Sequence, residues 1–171
     1  ITAMVASLGI GGIAIALAVQ TLLSDIFASL SIGIDKPFEI GDFVVFGDIA
    51  GTIEHIGLKT TRIRSLSGEQ LIMSNADLLK QTISNYKRMA TRRIVFTFGV
   101  TYDTTPAQAE EVSRRVKAIV SADERVRFDR AHLKEFGGNS INFEAVYILL
   151  SPDYNVYMDI QQTINVTLLR E

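Results

Sequence analysis

The first twenty-four residues carry no charge; the first charged side chain is Asp25. Within them, Leu8-Gly-Ile-Gly-Gly-Ile-Ala-Ile-Ala-Leu-Ala-Val-Gln20 sets small residues among branched apolar ones. A bilayer core of about 30 Å needs roughly 20 apolar residues at a helical rise of about 1.5 Å, and this run is long enough. In water such a helix is poor, because each interior Gly costs roughly 1 kcal/mol relative to Ala. In lipid, small side chains let helix backbones approach closely, and packing replaces the missing hydrophobic drive. Gly9, Gly12 and Ala16 form one edge at helical spacing, and Ala6, Ile10 and Ala14 form another. Neighbouring copies can interlock through such edges. Between them lie Ile13 and Leu17, four apart on one face.

Two other readings compete for this stretch. A secretory signal has a basic start and a shorter apolar core, and neither is present. Gly9-x-Gly11-x-x-Ala14, with Asp35 following, fits the dinucleotide fingerprint. A Rossmann helix should show a polar face, however, and the chain beyond Asp35 reads as successive strands.

Residues 21–34 are amphipathic, which suits a helix on the membrane surface or against another domain; equally, one long helix continues to about Ile34. Lys36-Pro37 ends it. From Phe38 to Tyr86 the chain takes on strand chemistry: Phe43–Phe46, Gly51–Gly57, Thr60–Arg64 and Gln70–Met73, separated by Gly-Asp and Ser-Gly turns. Short strands so closely spaced predict a small barrel or sandwich, with Asn75 capping a turn of helix over Ala76–Leu79. From Met89 the expected order is β-α-β-β-α. A strand over Arg93–Tyr102 precedes a helix opened by the capping box Thr105-Pro106-Ala-Gln108. Strands over His132–Phe136 and Ile141–Leu150 flank a Gly137-Gly138-Asn139 turn, and a last helix opens at Ser151-Pro152. This is an α+β, ferredoxin-like arrangement lacking its final strand. The expected division is 1–36 for the membrane helix and its amphipathic continuation, 37–87 for the β domain and 88–171 for the α/β domain.

Catalytic signals are sparse. The chain has two histidines, no cysteine and a net charge of −2, so thiolate chemistry is excluded and no global charge argues for nucleic acid. His55 and His132 have no partner at metal-ligand spacing, and Asp25, Asp35, Glu39 and Asp42 read as turn and interface residues. No cofactor and no metal are expected. Arg62 and Arg64 share a strand face and offer a basic patch for anionic headgroups or passing anions.

The glycine/alanine helix, followed by Lys36-Pro-Phe-Glu-Ile-Gly-Asp42, Gly51-Thr-Ile and Asn75, resembles the small-conductance mechanosensitive channel family over essentially the whole chain. The resemblance implies a homo-oligomer, usually a heptamer, in the cell (inner) membrane. Each copy would supply a pore-lining helix, a β domain and an α/β domain, the latter two forming a hollow cage on the cytoplasmic side. It implies opening under tension to pass ions and small solutes during hypo-osmotic shock, with Ile13 and Leu17 as the constriction. Ala6, Ile10 and Ala14 would face Gly9, Gly12 and Ala16 of the next subunit. The chain opens on Ile1 in mid-hydrophobic sequence, and by this resemblance it is part of a longer protein with earlier helices and a final barrel strand. Four positions depart from the pattern, one of them Ser74, which stands where proline commonly precedes the asparagine. Thr21 and Ser29 stand where the family often has glycine, and Ile10 is bulkier than the usual small residue. The helix is therefore expected to bend near Gln20–Thr21 by side-chain hydrogen bonding, or later near Ser29 and Gly33. The competing functions are a membrane-attached NAD(P)-dependent oxidoreductase and a non-conducting membrane scaffold of the same fold.

Overall fold

The computed structural model describes the backbone of residues 2–171 and the side chains of residues 12–20 and 22–171. Its chain divides into two units, Ile1–Arg88 and Met89–Glu171. The first opens with helix α1 (Thr2–Asp35). Segments Gly12–Gln20 and Leu22–Asp35 of this helix are inclined to each other by 40°. Among the described residues no single helix is long and apolar enough to cross a membrane; these two segments together meet that requirement by length and composition. Helix α1 stops where Lys36 turns left-handed, at φ 45°, immediately before Pro37.

Strands β1 (Phe43–Phe46), β2 (Ile49–Ile56), β3 (Thr60–Ser65), β4 (Gln70–Ser74) and β5 (Ser84–Asn85) form one sheet in the order β4-β3-β2-β1-β5, with every pairing antiparallel. The two-residue β5 lies beyond the strands the sequence foretells. The inward residues Val44, Phe46, Ile53 and Ile63 alternate as a one-sided sheet requires. They close a core with Phe38, Leu78 and, from α1, Ile32. Gly51 is required by close approach, since a Cβ there would lie 2.4 Å from the Arg64 carbonyl oxygen across the β2–β3 pair.

Helix α2 (Asn75–Leu79) corrects one expectation. Its N-cap is Ser74, whose hydroxyl accepts from Asp77 N–H, and not Asn75. Asn75 is instead fully buried, with its amide turned to long-range partners.

The second unit runs β6 (Arg92–Val100), α3 (Pro106–Val120), β7 (Val126–Phe136), β8 (Ile141–Leu149), α4 (Tyr154–Leu168). Its antiparallel sheet has the order β6-β8-β7, so β8 is central and the other two are edges. The capping box of α3 forms as expected: Thr105 Oγ1 accepts from Gln108 N–H while Gln108 Oε1 accepts from Thr105 N–H at 2.8 Å. Strand β7 starts at Val126, six residues before the expected His132. A register shift between Phe128 and Arg130 breaks the alternation that would have revealed it. Helix α4 starts at Tyr154 with Asp153 as its cap, later than the expected Ser151-Pro152. The core joins Ile94, Tyr147 and Leu149 of the sheet to Val116, Val120, Ile160 and Ile164 of the helices.

Candidate functional site

Every residue of segment Gly12–Gln20 is exposed among the described residues. Ile13 and Leu17 are each 63% exposed. With Ala16, Gln20, Leu23, Ser24 and Phe27 they line a shallow groove of about 500 Å³ along one face of α1. A Cβ on Gly12 would meet nothing within 4 Å, so no described neighbour explains that glycine. Ala14 and Ala16 are also exposed. Ala6, Gly9, Ile10 and Thr21 lie outside the residues whose side chains are described. The geometry does not favour the dinucleotide reading: its glycines sit inside α1, and both sheets among the described residues are antiparallel, without βαβ units.

Segment Leu22–Asp35 behaves differently, because one side of it is anchored. Asp25, Ala28 and Ile32, spaced three and four apart, are buried against the first unit. The Asp25 carboxylate accepts the Ala76 backbone N–H at 3.1 Å, at the first turn of α2. Ser29 donates its hydroxyl to the Gly57 carbonyl at 3.2 Å, so that group is used between elements and not on its own helix. The same carbonyl accepts the Asn75 amide at 2.8 Å, and Thr61 donates to Asn75 Oδ1 at 2.8 Å. Helix α1, the β2–β3 turn and the start of α2 thus meet at one hydrogen-bonded node. Gly33 is exposed, inside the same helical segment as Ser29. Opposite the anchored side, Leu23, Phe27, Leu30 and Ile34 are exposed.

Asn75→Ala leaves the Thr61 hydroxyl without its acceptor in a fully buried place and removes one of the two donors to Gly57. The expected loss is about 2–4 kcal/mol of stability, read as a fall in the unfolding midpoint. Asn75→Asp keeps the Thr61 acceptor but sets a buried carboxylate oxygen against the Gly57 carbonyl, so it should not restore the midpoint.

The Lys36-Pro-Phe-Glu-Ile-Gly-Asp42 loop is a second anchor. Phe38 is buried in the core below α1. Gly41 adopts φ 89°, which a side chain would resist. Asp42 is 4% exposed; its Oδ2 accepts from Glu39 N–H at 3.0 Å and from the Asn85 amide at 2.7 Å, and Lys87 Nζ lies 3.6 Å from Oδ1. Burial pushes this carboxyl up. The Asn85 amide, the Glu39 N–H and the Lys87 charge together outweigh burial and hold it below the ordinary carboxylate range. The folded state therefore binds this proton less readily than the unfolded chain does. Asp42 stabilises the fold fully above the unfolded carboxylate range of about 4, and this contribution disappears as pH falls through the lower folded value. Urea midpoints at pH 6 and pH 3 should fall less for Asp42→Asn than for the native chain, from a lower starting point.

Among the described residues no metal-binding chemistry gathers in either unit. Arg64 is committed to Glu54 through two bonds of 2.7 and 3.0 Å, leaving Arg62 exposed beside it. His55 and His132 are exposed on strands, and among the described residues no group of metal-ligating side chains forms.

Residues 21–88 match the family model "Mechanosensitive ion channel, beta-domain", and residues 94–171 match "Mechanosensitive ion channel MscS, C-terminal". The chain belongs to the MscS family of mechanosensitive channels. It is 35% identical over 167 residues to the large-conductance mechanosensitive channel MscMJLR of Methanocaldococcus jannaschii, covering 96% of this chain and 46% of that one. It is 33% identical to the small-conductance channel MscMJ of the same organism, covering 100% and 49%. The chain therefore spans about half the length of these relatives. Among solved structures, Helicobacter pylori MscS in its closed state matches with a TM-score of 0.83 at 26% identity, over 99% of this chain and 68% of that one. Arabidopsis thaliana MSL1 matches at 0.84 and 21% identity, over 93% and 58%, which shows the fold. The fold is accordingly MscS-like, with two sheet-rich units, and its family is one of channels, not enzymes.

Proposed function

We propose that this chain is part of a subunit of a tension-opened pore. The observation that carries the proposal is the contrast within α1. Its first described segment presents a bare apolar stripe of Ile13 and Leu17 flanked by small residues, while its second is fastened to the β domain by Asp25, Ser29 and Ile32. A helix bare above and anchored below is suited to packing with copies of itself around an axis.

In this reading Ala6, Ile10 and Ala14 of one copy meet Gly9, Gly12 and Ala16 of the next. Gly12, which no described neighbour explains, gains a reason to be small. Ile13 and Leu17 then form stacked apolar rings. Water in so narrow a throat loses hydrogen bonds without gaining partners, so the throat stays dry and closed. Tension favours the state of larger membrane area and shifts the population toward an open throat. The helix bend belongs at Gln20–Thr21, with the Thr21 hydroxyl bonding back along the helix, and Ser29 and Gly33 as the alternative place. The assembly is a homo-heptamer in the inner membrane. It is divided at 1–36, 37–87 and 88–171, with a barrel-like β domain and a ferredoxin-like α/β domain on the cytoplasmic side. Membrane lipids and permeating ions and small solutes are its partners, and release during hypo-osmotic shock is its service to the cell.

Native mass spectrometry of the detergent-solubilised full-length protein tests the assembly. A closed ring of seven is expected; a monomer that stays soluble without detergent would reject the reading.

A further inference from the structure

Helices α3 and α4 pack on one face of the second sheet and leave its other face bare. Register sets what gathers there. Arg93 of β6 and Arg127 of β7 are both paired with Ile148 of the central strand β8. Neighbouring strands lie about 4.8 Å apart, so the two arginine Cα atoms stand about 10 Å from each other with Ile148 between them. Both arginines are exposed, and Ile148 is half-buried. Val95 and Val146, the next pair along this face, continue its apolar floor; Val146 is fully buried and Val95 45% exposed.

The other cations on this side are engaged. Arg125, just before β7, holds Asp123 at 2.7 Å. Arg130 holds Asp129 at 3.1 Å and lies 3.7 Å from Glu144, which Lys134 binds at 2.9 Å. Glu135, at the far end, accepts from the Asn142 amide at 3.3 Å, and Glu124 sits in the turn before β7. Lys134 chiefly, then Arg130 and Arg93, hold the Glu144 carboxyl below its ordinary range, Arg93 acting only at longer distance. Among the described residues, neither the Arg93 nor the Arg127 side chain has an ion pair or a hydrogen bond.

Two guanidinium groups thus flank an aliphatic side chain with no acid to pair them. A guanidinium fork binds phosphate oxygens two at a time. A dianion matches two such charges, where chloride or a single carboxylate leaves one unmet. Both side chains are long enough to meet over Ile148, whose apolar surface excludes water from below and strengthens the attraction. Phosphate groups carry this double charge above a second pKa of about 6. Single-stranded nucleic acid fits less well, because this face offers bases no phenylalanine or tyrosine on which to stack.

We infer that Arg93 and Arg127 form a binding site for a soluble phosphate-type dianion, free phosphate or a phosphate monoester, seated over Ile148. The site stands on the second unit alone and is independent of the pore proposed above.

Phenylglyoxal, which attacks free guanidinium groups, tests it on the full-length protein in detergent. The modification rate of each arginine is read by peptide mass spectrometry. Millimolar inorganic phosphate should slow Arg93 and Arg127 together by roughly threefold, as an occupancy of about two thirds would. Potassium chloride at the same ionic strength should slow neither, and Arg62, exposed in the first unit, should react at the same rate throughout. Arg127→Gln should abolish the protection of Arg93, and Arg93→Gln that of Arg127, because one fork alone does not hold the dianion. Both positions are exposed, so neither variant endangers the fold. Glycerol phosphate, run in parallel, separates the sources: the stronger protector is the class of ligand the site takes. Equal slowing by chloride would reduce the effect to screening and overturn the site. Protection of one arginine that survives loss of the other, or no slowing by either phosphate compound, would overturn it as well. No current is read, so each of these results leaves the pore reading where it stands.

Discussion

Leu17→Ser is expected to lower the tension at which current appears, or to leak at rest and slow growth of the host cell. Leu17 shares a face with Ile13, and both are exposed among the described residues. Serine places a hydroxyl from every copy in the proposed throat, where leucine offered water no partner. Removing a leucine side chain from a dry contact forfeits roughly 1.5–3 kcal/mol per copy. Since about 1.4 kcal/mol changes an equilibrium tenfold, a ring of such changes shifts closed toward open by well over tenfold. Ile13→Ser should act in the same direction. Val19→Ser, on the far side of the helix, should change the threshold little. Current recorded against membrane tension for the three variants in one bilayer checks this, and equal thresholds would remove Ile13 and Leu17 from the gate.

Asp25→Ala should loosen the fastening of α1 to the β domain. The substitution leaves the Ala76 N–H without its acceptor beside a carboxylate site that is 2% exposed. The expected cost is about 1–3 kcal/mol, which corresponds to faster amide exchange at Ala76 by roughly 5- to 150-fold. Ser29→Ala should produce a smaller rise centred on the β2–β3 turn, because Gly57 keeps its bond from Asn75. Protection across β6, in the other unit, should not change. Hydrogen-exchange mass spectrometry of the full-length protein in detergent reads both effects, and unchanged exchange over residues 75–79 in Asp25→Ala would show that the bond does not hold the helix.

These two variants also divide what was legible in the sequence from what was not. The uncharged run before Asp25, the alternation of β1 to β4 and the capping box of α3 are local patterns, and each is visible in a few residues. Asp25 reads from sequence as a turn or interface carboxylate and is an interface residue, but its partner is 51 positions away. Ser29 reads as a bend residue, yet its hydroxyl reaches Gly57, 28 positions on. Asn75 reads as a helix cap, and its burial against Thr61 and Gly57 displaces that role to Ser74. No periodicity announces such bonds, because they connect elements that only folding brings together. Strand β5 is two residues long and becomes visible through the pairing of Val44 and Val45 with it. The bulge at Phe128–Arg130 hides the first half of β7 for the opposite reason, since it interrupts a pattern that is otherwise present.

The central claim is that membrane tension alone opens a pore built from this chain. Its most direct test is current from the purified full-length protein in a bilayer of lipid only, recorded while suction is raised stepwise. The account predicts silence at rest, discrete openings above a reproducible tension, and closure when suction is released. No current up to the tension that ruptures the patch, or current that ignores tension, would contradict it.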